Sequence, residues 1–467
     1  MAIMEVSIPT RLTSNSSKQV WITNKAKKLC RLKKRWHKKA KLTDSLRVKN
    51  KYLDIKRKCR QECRKAKTAY LNKISEDKEN KQLFWNYVKS KRKDNVSCSQ
   101  LKDKLGKLQS DAQTKANLLN DQFSSVWSAP TTANHFFNEN ASPDIDNLTF
   151  SIKGVHKLLS NLKPLKATGP DGLPPFILKD LAYELAPAFT LLFEASLRQG
   201  TLPQDWKSAS VVPIFKKGDP LQPSNYRPVS LTSVPSKIME HIIFSHIMKH
   251  LERHSILCNN QHGFRKYRSC ESQLITTVDD LAKNLDNGHQ TDMILLDFSK
   301  AFDKVNHHSL LFKLKHYGIR GEILSWIKDF LNKRSQKVLL EGAFSFTSTV
   351  LSGVPQGTVL GPLLFLIYIN DLPNYVSPGT QVKLFADDSA VYRKIVSEKD
   401  HEILQKDLEN LTNWEREWSM HFHPDKCQLL TITNKKTPSL FNYKIHNTSI
   451  QSTTDAKYLG ITINNKL

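Results

Sequence analysis

The sequence has no apolar run long enough to cross a bilayer. The longest, Val359 to Ile369, falls well short of the roughly 20 residues a spanning helix needs. It reads instead as a buried helix. No secretory signal is recognisable at the start, so no membrane or export role is expected. The cysteines supply neither an even disulfide framework nor a metal-ligand spacing. There are seven (Cys30, Cys59, Cys63, Cys98, Cys258, Cys270 and Cys427), which points to a reducing, intracellular location. Cys59 and Cys63 stand four apart on an expected helix. They share a face, where an apolar stripe is the expected reading over a metal pair.

Acidic residues are also in short supply. Lys and Arg number 71 against 44 Asp and Glu, a formal charge of +27. The excess is local. Between Lys25 and Lys93 there are 27 basic and 6 acidic side chains, so this stretch holds +21 of it. Concentrated charge of one sign suggests a polyanionic partner, most simply nucleic acid. Lys25 to Ile74 predicts one or two basic helices. Tyr52, Ile55, Cys59, Cys63, Ala66, Tyr70 and Ile74 recur every three or four residues as one stripe. The Lys25–Lys41 cluster also suits nuclear import. Residues 1–24 are expected to be disordered, 25–128 a basic helical extension, 129–150 a polar linker, and 151–467 the main body. Within the extension, Phe84 to Val88 reads as a packing knob, Lys93 to Gln109 as a loop and Ala112 to Trp127 as a helix.

Three stretches of the main body carry chemistry. In Lys383-Leu-Phe-Ala-Asp-Asp-Ser-Ala-Val-Tyr392, β-prone residues flank Asp387 and Asp388. This predicts a hairpin with carboxylates at its tip. Upstream, Asp292-Met-Ile-Leu-Leu-Asp297 predicts a buried strand that ends on a third carboxylate. Between them, Leu351 to Pro362 is dense in glycine and proline, which lets backbone approach a ligand closely. Pro362 fits the first turn of the helix that follows. Hard carboxylate oxygens suit Mg²⁺. Two such ions about 3.5–4 Å apart can clamp both oxygens of a phosphoryl transfer.

Further signals lie around these. Ser151 to Gly200 reads as helical, interrupted by a turn cluster at Ala167–Pro174. Ser210 to Phe215 reads as a strand, followed by Lys216-Lys217-Gly218-Asp219 and then Arg227. Ile238 to His254 is an amphipathic helix. Its His246, His250 and His254 share a face, but no cysteine or carboxylate cluster completes a zinc site. Ser272 to His289 and Leu310 to Lys333 read as helical. Gln336 to Val350 reads as two strands joined at Glu341-Gly342, and Asp400 to Trp418 as a helix.

The strings LLDFSKAFDKVNH, SGVPQGTVLGPLLFLIYINDLP and KLFADDSAVY resemble, in order and spacing, polymerase motifs A, B and C of reverse transcriptases of LINE-type non-LTR retrotransposons. The resemblance runs from about Ser151 to Leu467. It implies an α+β right-hand polymerase, with fingers, an antiparallel palm sheet, and the basic helical extension before them. It implies RNA-directed DNA synthesis with template RNA, primer DNA and dNTPs as partners, and two Mg²⁺ ions as cofactor, with Mn²⁺ as a substitute.

The resemblance also assigns residues. Asp297, Asp387 and Asp388 are the catalytic metal ligands, with Phe298 in the metal set. Lys216 or Lys217, with Arg227, contacts the triphosphate. Phe302 is a gate against the 2′-hydroxyl. Gln356 and Gly357 line the nucleotide site, and Lys426 of His423-Pro-Asp-Lys426 protonates pyrophosphate. Arg265 and Arg268 hold the template, while Tyr458, Leu459 and Gly460, on a single strand, grip the primer. A thumb is expected beyond Leu467 and an endonuclease before the polymerase, so the chain reads as a fragment in a nuclear or cytoplasmic ribonucleoprotein. Two other readings stay open. One is a non-catalytic remnant that binds RNA. The other is an RNA-dependent RNA polymerase, against which the bulky Phe302 speaks.

Overall fold

The computed structural model describes residues 21–43, 45–76, 98, 100–128 and 142–467. The expectations for residues 1–20, for Phe84–Val88 and for most of the 129–150 linker lie outside them. The chain divides into two compact units, Met1–Ser97 and Cys98–Leu467.

The first unit is a pair of helices, α1 (Asn24–Leu42) and α2 (Leu46–Glu76). Thr23 caps α1, its hydroxyl accepting the Ala26 amide at 3.2 Å. The helices run antiparallel: His37 meets Tyr52, Cys30 meets Cys59 and Lys25 meets Glu62. The apolar stripe explains the pairing, because Ile55, Cys59 and Ala66 are buried and so is Ala26 on α1. Lysines and arginines occupy the outer faces. One expectation needs correcting here. Sequence spacing shows no metal-ligand pattern among the cysteines, yet the helical reversal brings Cys30, Cys59 and Cys63 together.

The second unit opens with a small hairpin, β1 (Leu101–Lys102) and β2 (Leu108–Gln109). A loop was expected. The Asp103 carboxylate closes a turn instead, accepting the Leu105 and Lys107 amides at 2.9 Å each. Next come α3 (Ala112–Ser124), α4 (Ile152–Ser160), α5 (Pro175–Asp180) and α6 (Ala182–Gln199). Strands β3 (Ser208–Phe215) and β4 (Tyr226–Leu231) lead to α7 (Val234–Arg253) and α8 (Cys270–Asp286). Then follow β5 (Gln290–Asp297), α9 (Ala301–Lys304), α10 (His307–His316), α11 (Gly321–Leu331), β6 (Ser335–Leu340), β7 (Ala343–Phe344), β8 (Ser348–Thr349) and α12 (Leu360–Ile369). The chain goes on through β9 (Thr380–Phe385), β10 (Asp388–Ile395), α13 (Glu398–Trp418), β11 (Gln428–Ile432), β12 (Lys444–Ile445), β13 (Thr448–Ser449), β14 (Gln451–Thr453), β15 (Asp455–Tyr458) and β16 (Ile461–Asn464).

The architecture is mixed α+β. One sheet has the order β4-β3-β6-β7, with β8 also on β6. Helix α3 packs on it. Lys115 reaches Glu341 at 3.0 Å and Asn120 reaches Ser348 at 2.8 Å, while Leu119 and Phe123 share a core with Val211 and Val338. Residues 98–128, expected to belong to the basic extension, are therefore part of the larger unit.

The second sheet has the order β14-β11-β5-β10-β9. It is antiparallel except where β14 runs parallel to β11, a departure from the all-antiparallel expectation. The excursion through β12 and β13 allows it by returning the chain in the same direction. Strand β5 is central and buried on both faces, which explains its unbroken Met-Ile-Leu-Leu run. Ile294 and Leu296 face the main core, while Met293 faces Leu281 of α8 and the β15/β16 hairpin. Helix α12 is apolar all round because it is a core helix. Among the described residues no helix is long and apolar enough to cross a membrane. His250 bonds to the Tyr317 carbonyl at 2.8 Å and His246 to that of Asp146 at 2.7 Å, so their ring nitrogens serve α7 packing.

Candidate active site

Asp297 is the last residue of β5, and its register partner is Asp388, the first residue of β10. Antiparallel partners sit about 5 Å apart at Cα and project to the same face. Asp387 lies in the two-residue turn between β9 and β10, where Phe385 pairs with Asp388. The expected hairpin is thus present, with its acids against the end of the expected strand. All three aspartates reach the surface, with Asp387 and Asp388 crowded by surrounding protein around their carboxylates.

The turn itself is unusual. Ala386 holds φ at +54°, which non-glycine residues rarely adopt. A segment from α7–α8 braces it. The buried Gln261 side-chain oxygen accepts the Ala386 amide at 2.9 Å and the Gly263 amide at 2.7 Å. The Leu384 carbonyl accepts the His262 amide at 2.9 Å, and the Leu384 amide donates to the Asn260 carbonyl at 2.9 Å. A β-carbon on Gly263 would lie 2.4 Å from the Ala386 nitrogen, so only glycine lets the two backbones approach this closely.

Cations face the acids. The Lys426 ammonium is 4.0 Å from the Asp297 carboxylate. The short helical turn Pro424–Lys426 carries it, and the His423 amide anchors that turn to the Asp297 carbonyl at 2.8 Å. Lys216 follows β3, its amide bonded to the Asn225 carbonyl at 2.9 Å, and Arg227 lies on β4. Loss of solvent pushes the Asp387 and Asp388 carboxyls above the usual range. Asp297 adds to this by repulsion, and for Asp388 the Asp387 charge does too, while Lys216 and Arg227 oppose it. Desolvation, then the Arg227 charge, lowers the Lys216 ammonium, with Asp297 pulling the other way. Of the two candidate lysines, Lys216 is among the leading charges felt at Asp387 and Asp388.

The remaining candidates fall into two groups. Phe302 stacks on Phe365 of α12, with ring centroids 4.4 Å apart. The Gln356 side-chain amide donates to Asp303 at 3.2 Å, and its carbonyl accepts the Ser230 amide of β4 at 2.9 Å. Gly357 (φ +106°) sits so close to Ser230 that a β-carbon would lie 2.5 Å from its carbonyl oxygen. This loop thereby ties β4 to the segment that follows β5. Phe298 is buried under Asp297, stacked on Phe422 at 4.5 Å.

The second group makes contacts within the chain. Arg265 donates to the Cys258 carbonyl at 2.8 Å and Arg268 to the Asn259 side chain at 2.9 Å, so both stiffen the 258–261 loop. Tyr458 is buried, and desolvation pushes its phenol up to about 12. The expected single strand around it is the β15/β16 hairpin, because Leu459 and Gly460 both take positive φ and reverse the chain. Only the turn residues of that trio reach the surface.

The profile of the reverse transcriptase (RNA-dependent DNA polymerase) family matches residues 214–463, more than half of the chain. The chain belongs to the reverse transcriptases. Its relatives make it the non-LTR retrotransposon kind of that family. The RNA-directed DNA polymerase from mobile element jockey of Drosophila melanogaster is 31% identical over 328 residues, covering 68% of this chain and 35% of that protein. The probable RNA-directed DNA polymerase from transposon X-element of the same fly is 30% identical over 307 residues, 65% and 34% of the two chains. That from transposon BS is 28% identical over 331 residues, 68% and 36%. The chain thus spans about a third of the length of these relatives.

Three features of this reverse transcriptase were not foreseen. Gln261 and Gly263 brace the acidic hairpin. Asp303 is desolvated, and its carboxyl rises to about 6. Buried Glu240 accepts the Val359 amide at 2.7 Å and the Leu360 amide at 3.2 Å, capping α12, with its carboxyl raised by burial.

Proposed function

We propose that the chain adds deoxynucleotides to a primer 3′-hydroxyl on an RNA template. The hydroxyl attacks the α-phosphate in line and pyrophosphate leaves. The observation that carries this reading is the register pairing of Asp297 with Asp388, beside Asp387 and facing Lys216, Arg227 and Lys426. In this reading the β5-containing sheet is the palm, the β3/β4 sheet belongs to the fingers, and the α1/α2 pair is an RNA-binding extension.

The acids suit a pair of Mg²⁺ ions. They offer hard oxygen donors. Among the described residues neither Asp387 nor Asp388 takes a side-chain hydrogen bond or ion pair at its carboxylate. Their mutual repulsion is left for a cation to relieve. The aspartate oxygens are not all within 4.8 Å of one another, as those of a closed site would be. Bound at Asp297, Asp387, Asp388 and the neighbouring Phe298, the ions would activate the nucleophile and stabilise charge developing in the transition state. Mn²⁺ would substitute.

The chain's own cations do the rest. Lys216 and Arg227 grip the triphosphate, Arg227 presenting a planar fork suited to phosphate oxygens. Lys426 gives a proton to the departing pyrophosphate. The Phe302 ring, fixed by Phe365, excludes a 2′-hydroxyl. The Gln356 loop sets one wall of the nucleotide site. Arg265 and Arg268 would meet the template through the loop they stiffen, and the Leu459-Gly460 turn would meet the primer.

Primer extension on an RNA template with Mg²⁺ tests the reading. Asp297→Ala and Asp387→Ala should each reduce incorporation by orders of magnitude while RNA binding persists. Undiminished extension by either variant refutes the assignment. RNA binding without any incorporation by the unaltered chain would favour the non-catalytic reading, which the basic helix pair also supports.

A further inference from the structure

Cys59 and Cys63 are one turn apart on the inner face of α2, and Cys30 reaches them from α1. The Cys30 sulfur is 3.5 Å from that of Cys59 and 4.0 Å from that of Cys63, and all three sulfurs lie within 4.8 Å of one another. Among the described residues this is the one group of three potential metal-ligating side chains so closely gathered.

These spacings suit a shared ion. With zinc–sulfur bonds of about 2.3 Å, tetrahedral thiolates stand about 3.8 Å apart. The two separations from the Cys30 sulfur straddle that value. A disulfide suits the cluster less, since it joins two sulfurs at about 2.05 Å and leaves the third without a role. The electrostatics agree. Three thiolates around a divalent cation carry a net single negative charge. Helices α1 and α2 surround that charge with 21 Lys and Arg against 3 Asp and Glu. As free thiols the groups are crowded: burial first, then Cys30, pushes Cys59 up to about 11 and raises Cys63 as well, with Lys33 only a minor opposing charge on Cys63.

The hairpin also has reason to need a clip. Among the described residues, its buried apolar side chains are Ala26, Ile55, Cys59 and Ala66. Two helices sharing so little core are marginal without a metal or cross-link.

We propose that Cys30, Cys59 and Cys63 bind one thiophilic divalent cation, Zn²⁺ in the first instance, with water as the fourth ligand. The three thiols release their protons on binding, and the ion joins α1 to α2. This site belongs to the first unit, and the proposal does not rest on the polymerase reading.

The test titrates the reduced full chain with Co²⁺ and follows the sulfur-to-cobalt charge-transfer band, which carboxylate-bound Co²⁺ does not give. One equivalent should saturate the band, and Zn²⁺ should bleach it. Cys30→Ser and Cys59→Ser should abolish it, whereas Cys270→Ser should leave it unchanged. Far-UV circular dichroism of each variant without metal separates a lost ligand from a lost fold: Cys30→Ala, which keeps an apolar contact, should retain apo helicity and still give no band. Absence of a saturable band in the reduced wild type overturns the proposal. So does a band that survives in Cys30→Ser, or a Cys30–Cys59 disulfide in the freshly purified chain.

Discussion

Replacing Gly263 with alanine tests whether the acidic hairpin owes its position to the segment that braces it. The added β-carbon would sit 2.4 Å from the Ala386 backbone nitrogen and 2.9 Å from the Gln261 side-chain oxygen. Carbon contacts relax at about 3.5 Å, so the Ala386 backbone must retreat by about 1 Å. The first neighbour is backbone, and the second, the end of the Gln261 side chain, is held by the Gly263 and Ala386 amides. Gly263 does not hold a positive φ, so the strain is steric and not torsional. An alanine here would gain about 0.4–1 kcal/mol from a stiffer unfolded chain. The forced fit costs about 1–3 kcal/mol. The variant should therefore fold, somewhat less stably. Catalysis should suffer more than folding, because a displacement of about 1 Å at reacting groups can lower the rate about 100-fold. Single-nucleotide incorporation under saturating dNTP, with RNA affinity measured in parallel, reads this directly. The expected result is a large fall in kcat with RNA affinity unchanged. A Gly263→Ala chain that incorporates at the wild-type rate would refute the bracing role.

Other outcomes follow from single contacts. Phe302→Ala removes the ring that stacks on Phe365; incorporation of ribonucleotides relative to deoxynucleotides should rise about 10-fold or more, read on matched primer-template. Asp303 in the folded chain holds its proton up to about pH 6, against 3.8 for a free carboxyl. Its contribution to stability is full below the lower value and lost as pH rises through the upper one, a difference of up to about 3 kcal/mol. Asp303→Asn should accordingly unfold at higher urea than wild type at about pH 7.5, and the gap should close near pH 4. Lys313 is fully buried, paired with Asp371 and 3.7 Å from the Trp418 ring centroid. Lys313→Met strands the Asp371 charge and should cost about 3–5 kcal/mol in urea unfolding. Adding Asp371→Asn should recover part of that loss.

The strands that carry the acids were legible because their neighbours are unambiguous. An unbroken apolar run ending in Asp297 suits a central strand, and Asp-Asp between β-prone flanks suits a hairpin. Asp103 was harder to interpret, since its role in closing β1 to β2 depends on where its own carboxylate folds back. The side of the sheet that Tyr458 faces was not legible at all. Its burial follows from packing beside Met293 and Leu281, residues far away in the chain. The Gln261 brace was hidden for a similar reason: its acceptor serves amides on both sides of a long intervening segment. The thiol cluster depends on where α1 reverses into α2, and no count of residues between cysteines contains that.

The pairing of β5 with β10 runs over eight residues, from Gln290 opposite Ile395 to Asp297 opposite Asp388. The two acids are therefore indexed by the ladder as marks on a ruler are. Swapping one apolar residue for another along it leaves the marks in place. Losing or gaining one residue in either strand turns the acid to the other side of the sheet. A gene for this chain could accumulate many substitutions in these strands with the acids still opposed. One in-frame codon lost or gained within the ladder would part them in a single step.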